Sequence, residues 1–161
     1  HIMIEKKIEF NVEILSLEEI PLDQQELVKA AYEATENSYA NYSNFNVGAA
    51  IRLGDGRIVI GANQENAAFP VGLCAERTAI FAAQANYPDQ KITHIAVTAK
   101  NLNGFLKQPV TPCGSCRQVM LEIEERYKNP MTILLCGTDK IYRIKTVKDL
   151  LPLCFVDADM R

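Results

Sequence analysis

The stretch Val47-Gly-Ala-Ala-Ile-Arg-Leu-Gly-Asp-Gly-Arg-Ile-Val-Ile-Gly-Ala-Asn63 decides the fold. It reads as two strands, Val47 to Leu53 and Arg57 to Asn63. Asp55-Gly56 between them is a strong hairpin signal, with positive φ expected at both central turn positions. Downstream, a helix is predicted from about Cys74 to Asn86, a buried strand from Ile92 to Thr98, and a second helix from about Gly114 to Tyr127. Met131 to Cys136 and Ile141 to Ile144 read as strands, and Thr146 to Leu151 as a helical turn ended by Pro152. Strands alternating with helices favour an α/β fold with a central sheet covered by helices, and the hairpin makes that sheet mixed. Upstream, Leu27, Ala30, Ala31 and Ala34 repeat at helical spacing, with Asp23 and Glu26 resembling a capping box. Ile8, Phe10, Val12 and Ile14 alternate as in a half-buried strand.

The chain of 161 residues suffices for one domain with a sizeable core, and no repeat or linker divides it. A single domain over residues 1–161 is therefore expected, with residues 1–3 a cloning remnant and residues 4–20 an N-terminal extension. A net charge of -3 and the lack of a basic aromatic stripe argue against nucleic-acid binding. No apolar run is long enough to span a bilayer, so no membrane partner is expected. Five cysteines without an export signal imply reduced thiols in the cytoplasm.

Three of those cysteines carry the chemistry. Cys113 and Cys116 form a C-x-x-C pair behind Pro112, which suits the first turn of a helix. Cys74 opens the preceding helix. Helix starts favour thiolates, so the two starts could present three sulfurs to one point. Three protein ligands on zinc leave a position for water, and Glu76, two residues beyond Cys74, could shuttle protons there. Alone, each piece has a plainer reading: a structural zinc half-site or redox pair, a core thiol, an exposed acid.

Together, Cys74-Ala75-Glu76-Arg77 and Pro112-Cys113-Gly114-Ser115-Cys116 resemble the zinc-dependent cytidine deaminase family. Tyr42-Ser43-Asn44-Phe45, Val47-Gly48-Ala49-Ala50, Asn63-Gln64-Glu65-Asn66 and Leu150-Leu151-Pro152 extend the resemblance in family order. It implies a cytidine deaminase-like α/β/α fold. It also implies one Zn2+ per subunit held by Cys74, Cys113 and Cys116. Glu76 would carry a proton from water to the ring nitrogen N3 while C4 is attacked, and then help ammonia leave. Asn63 and Glu65 would bind sugar hydroxyls, Phe45 would line the base pocket, and the Ala75 N–H would lie near the attacked base. Arg77 would donate to the cysteine sulfurs, withdrawing charge from three thiolates.

The substrate implied is a free cytosine nucleoside, cytidine or deoxycytidine, deaminated to the uracil nucleoside in pyrimidine salvage. The three-cysteine branch forms homotetramers with active sites at subunit contacts, and Phe155 matches the aromatic that reaches the neighbouring subunit's substrate. Asn46 stands where the family often has proline. Cys136 and Cys154 match no ligand position and read as core thiols, and His94 as structural. The competing readings are a blasticidin-type aminonucleoside deaminase, a non-catalytic zinc-binding module and a polynucleotide-editing deaminase.

Overall fold

The computed structural model describes residues 2–161; His1, within the expected cloning remnant, lies outside the described residues. Seven strands form one sheet: β1 (Glu13–Leu15), β2 (Asn46–Leu53), β3 (Ile58–Ala62), β4 (Ile92–Asn101), β5 (Gly104–Phe105), β6 (Thr132–Cys136) and β7 (Ile141–Ile144). Their order is β1-β7-β6-β4-β2-β3, with β5 on the far end of β4. Only β4 and β6 pair in parallel, His94 opposite Thr132 through Val97 opposite Leu135. The other pairs are antiparallel, so the sheet is mixed as the hairpin requires.

Period-two alternation sorts the strands onto two helical layers. Ala49, Ile51, Leu53, Ile95, Val97, Ile133 and Leu135 point to one face, where they bury against α2 (Ala75–Asn86) and α3 (Gly114–Tyr127). Ala50, Ala96, Leu134 and Cys136 point to the other, where α1 (Leu22–Ala34) supplies Leu27, Val28 and Ala31. Each fully buried Leu, Ile or Val side chain contributes about 1.5–3 kcal/mol.

Several local expectations are corrected. Ile8, Phe10 and Val12 lie ahead of the first strand, because β1 can pair only with the four-residue β7. Glu13 and Arg143 tie that short pair together with contacts of 2.9 and 3.1 Å. The Asp23–Glu26 capping box does not form: Pro21 occupies the N-cap of α1, and Arg52 engages Glu26 at 3.2 Å. The β2–β3 turn has positive φ at Gly56 alone (92°), with Gly56 N donating to Leu53 O and Leu53 N to Arg57 O. This is a three-residue loop closed by a glycine bulge. Pro112 precedes the N-cap of α3 instead of starting the helix. The helical turn expected after β7 does form, as a 3-10 helix over Val147–Leu150 with Thr146 as its N-cap.

Two glycines set the layer spacing. A Cβ on Gly48 would lie 2.2 Å from Ala31 O, and one on Gly61 would lie 2.5 Å from both Ala75 O and Ala79 N. Gly61 thus lets the start of α2 rest on β3. Gly61→Ala is expected to push that helix away and to cost about 1–3 kcal/mol, read as a lower denaturation midpoint. Turnover should fall with it, because the displaced turn carries Cys74 and Glu76. A variant with parental stability and turnover would refute this role.

The other end of α3 is pinned by a buried carboxylate. Glu124 accepts from Met131 N (2.9 Å), Val147 N (2.9 Å) and Thr146 Oγ1 (2.6 Å), joining the helix to the start of β6 and the chain after β7. With α2 held at Gly61 and α3 at Glu124, the two helix starts occupy fixed places beside each other.

Candidate active site

Cys74 is the N-cap of α2 and Cys113 the N-cap of α3, both in extended backbone. Cys116 follows in the first turn of α3 and is fully buried. The three sulfurs lie within 4.8 Å of one another, with Cys74 Sγ and Cys113 Sγ 3.8 Å apart. The unpaired N–H groups of two helix starts converge here and favour negative charge. The Cys74 thiol is held well below the ordinary thiol range, chiefly by the hydrogen bond from Cys116 and further by Arg77. Cys116 is correspondingly pushed up by the neighbouring Cys74 and by burial.

Arg77 Nη2 donates to Cys74 Sγ at 3.4 Å. Its guanidinium is held above its ordinary value first by that sulfur, and its buried Nε has no hydrogen-bond partner. Glu76, 4% exposed, lies beside this cluster. Burial raises its carboxyl above the ordinary range, and the Cys74 charge adds to the effect. A carboxyl so placed can hold a proton near neutrality and release it. The donor set fits zinc: three soft sulfurs converge, and a cation sits close enough to temper their charge.

The cluster opens into a cavity of about 590 Å3 where β3 ends and β2 begins. Cys74, Cys113, Glu76 and Arg77 line it, together with Phe45, Asn63 and Glu65. Asn63 is largely committed to the protein. Its Oδ1 accepts from Ser38 Oγ (2.6 Å) and Val47 N (2.8 Å), and its Nδ2 donates to Phe45 O (2.8 Å). These partners fix the amide orientation and leave one N–H for a ligand. Glu65 Oε1 accepts from Tyr42 N (2.9 Å) and Ser43 N (3.1 Å), while Oε2 accepts from the Ser43 hydroxyl. Those bonds, the Ser43 hydroxyl foremost, hold its carboxyl below the ordinary range.

Two expected residues stand apart. Ala75 is wholly buried and is absent from the cavity wall. Phe155 is 54% exposed and lines a separate hollow of about 250 Å3 with Gln118 and Met160. Its carbonyl accepts from Gln118 Nε2 at 2.9 Å, and Arg117 Nη1 reaches Leu150 O at 3.0 Å, so α3 anchors this tail. The sequence reading assigned no role to Phe69, Leu73, Val110 and Thr111, which also line the cavity. Val110 and Thr111 sit directly before Pro112-Cys113, the one cue that could have placed them there.

Residues 22–129 match the family described as the cytidine and deoxycytidylate deaminase zinc-binding region. A cytidine deaminase from Halalkalibacterium halodurans is 40% identical over 148 residues, covering 86% of this chain and 98% of that protein. The crystal structure of cytidine deaminase from Burkholderia pseudomallei superposes with a TM-score of 0.68 at 39% identity, over 81% of this chain and 97% of that one. For that from Mycobacterium tuberculosis the values are 0.65 and 31%, over 84% and 99%. The mixed sheet with helices on both faces is the fold these structures share.

Proposed function

Because the chain belongs to the cytidine and deoxycytidylate deaminase family, we propose that it hydrolyses the amino group of free cytidine and deoxycytidine, giving the uracil nucleosides in pyrimidine salvage. The observation that carries the reading is the meeting of Glu76 with three converging thiols, two of which, Cys74 and Cys113, line the same cavity as Glu76.

Cys74, Cys113 and Cys116 hold one zinc ion per subunit. When bound, the metal supplies water activated for attack at neutral pH. Glu76 takes a proton from the attacking water and delivers it to N3 of the base, which makes C4 electrophilic; it then takes that water's second proton and gives it to the amino group, which leaves as ammonia as the C4 carbonyl forms. Its raised affinity for a proton, caused by burial, suits that shuttle. Arg77 draws charge from the thiolates. Phe45 packs against the base. The spare N–H of Asn63 and the spare acceptor site of Glu65 take sugar hydroxyls. The Ala75 N–H, in the first turn of α2, is assigned to the attacked end of the base by the family resemblance alone, since Ala75 is not on the cavity wall.

The chain works as one domain in a cytoplasmic homotetramer, with Phe155 reaching the neighbouring subunit's substrate. Its exposure, and its absence from this chain's own cavity, support that role. No described helix is long and apolar enough to cross a membrane.

Ultraviolet absorbance of cytidine and deoxycytidine incubated with the zinc-loaded protein tests the function. Conversion to the uracil nucleosides with stoichiometric ammonia is expected. Conversion confined to a blasticidin-type aminonucleoside would reassign the substrate, and tight zinc without any turnover would favour the binding-module reading.

A further inference from the structure

Ser43 lies on the cavity wall and links Phe45 to Glu65. Its hydroxyl accepts from Phe45 N at 3.0 Å and donates to Glu65 Oε2. The N–H of Phe45 can only donate, so the hydroxyl proton is free to point at the carboxylate. Asn44 between them takes a left-handed conformation (φ 57°), which brings the Phe45 amide back over the serine oxygen. Tyr42 N and Ser43 N both occupy Oε1, and among the described residues the serine hydroxyl is the sole protein donor to Oε2. An ionised carboxylate offers about four acceptor sites, and three are used here. The remaining one has its direction set by the serine.

We infer that Ser43 is a positioning residue that aims Glu65 at a ring hydroxyl of the sugar, 2′ or 3′, and so sets the preference for nucleosides that carry one. The inference rests on the proposed contact between Glu65 and the sugar. Without the hydroxyl, Oε2 loses its anchor and the carboxylate turns about the two amides on Oε1. Binding of the sugar then weakens, while the thiol cluster and Glu76, held by α2 and α3, stay in place.

Steady-state kinetics of the zinc-loaded full chain test this with Ser43→Ala, Ser43→Thr and Glu65→Gln, on cytidine and on 2′,3′-dideoxycytidine. Ser43→Ala should raise KM for cytidine about tenfold with kcat within about twofold, the worth of one charge-assisted hydrogen bond. On the dideoxynucleoside, which keeps only its 5′-hydroxyl, its KM should stay within about twofold of the parent's, because neither ring hydroxyl remains for Glu65 to receive. Ser43→Thr, which keeps the hydroxyl, should restore the parental KM. An equal KM rise on both nucleosides, an unchanged cytidine KM, or a fall in kcat matching the rise in KM would overturn the inference. The Glu65→Gln arm separates the two failures. If it discriminates between the nucleosides while Ser43→Ala does not, only the serine's role falls. If it does not discriminate, the sugar contact itself falls and takes the serine with it.

Discussion

Glu76→Gln should lower kcat by about 10²–10⁴-fold, the usual worth of a positioned proton carrier, while zinc content stays at the parental level. The amide keeps the shape of the carboxyl but cannot accept and return a proton near neutrality. The variant also separates chemistry from folding. Burial disfavours the charged form of Glu76, so a neutral amide in the same place should leave the melting temperature unchanged or raise it. A catalytic collapse with intact stability and metal identifies a group used in the reaction. A variant that retains more than about a tenth of parental turnover would remove Glu76 from the mechanism and leave the proton to another group. The described cavity wall offers Glu65, but its carboxyl is held low by Ser43 and the loop amides, which makes it a poor proton donor.

The thiol cluster was legible in the sequence because its geometry is local. Cys113 and Cys116 are three residues apart at one helix start, and Cys74 is at another, so only the meeting of the two starts had to be supplied by the fold. The close approach of Gly61 to Ala75 and Ala79 supplies part of it, and no pattern announces that contact. The N-terminal alternation failed for the opposite reason. Ile8, Phe10 and Val12 have strand periodicity, but a strand needs a partner of matching length, and β7 ends after four residues. Strand β5 is two residues long and owes its existence to Lys100 and Asn101 extending β4 past its last pair with β6, Val97 with Leu135, a tertiary event without a local signal. Asn63 and Glu65 could be singled out only by resemblance. That their side chains also build the 38–47 loop is visible only in space, because each partner lies 16 to 25 residues away.

Removing the metal should both stop turnover and soften the fold. Three sulfurs within 4.8 Å repel one another once ionised, and each charge must otherwise be met by helix amides or by Arg77. A ligand that binds only the folded state stabilises it by about 4 kcal/mol when present at a thousand times its dissociation constant. For a chain of this size each kcal/mol moves the melting temperature by roughly 2–4 °C, so dialysis against a chelator should lower it by about 10 °C. Readdition of zinc should restore both temperature and activity. Cys113→Ser, which leaves the exposed member of the cluster as a harder and less acidic donor, should mimic the chelated protein at limiting zinc. Arg77→Gln divides the two effects. Three thiolates on a divalent ion carry about one net negative charge, so losing the Arg77 donation should cost about tenfold in kcat while zinc stays bound. If the chelated protein melts where the loaded one does and still turns over cytidine, the cluster is a set of neighbouring free thiols and the metal chemistry assigned to it is wrong. If Arg77→Gln matches the parent in both zinc affinity and turnover, the guanidinium is a structural neighbour of Cys74 and nothing more.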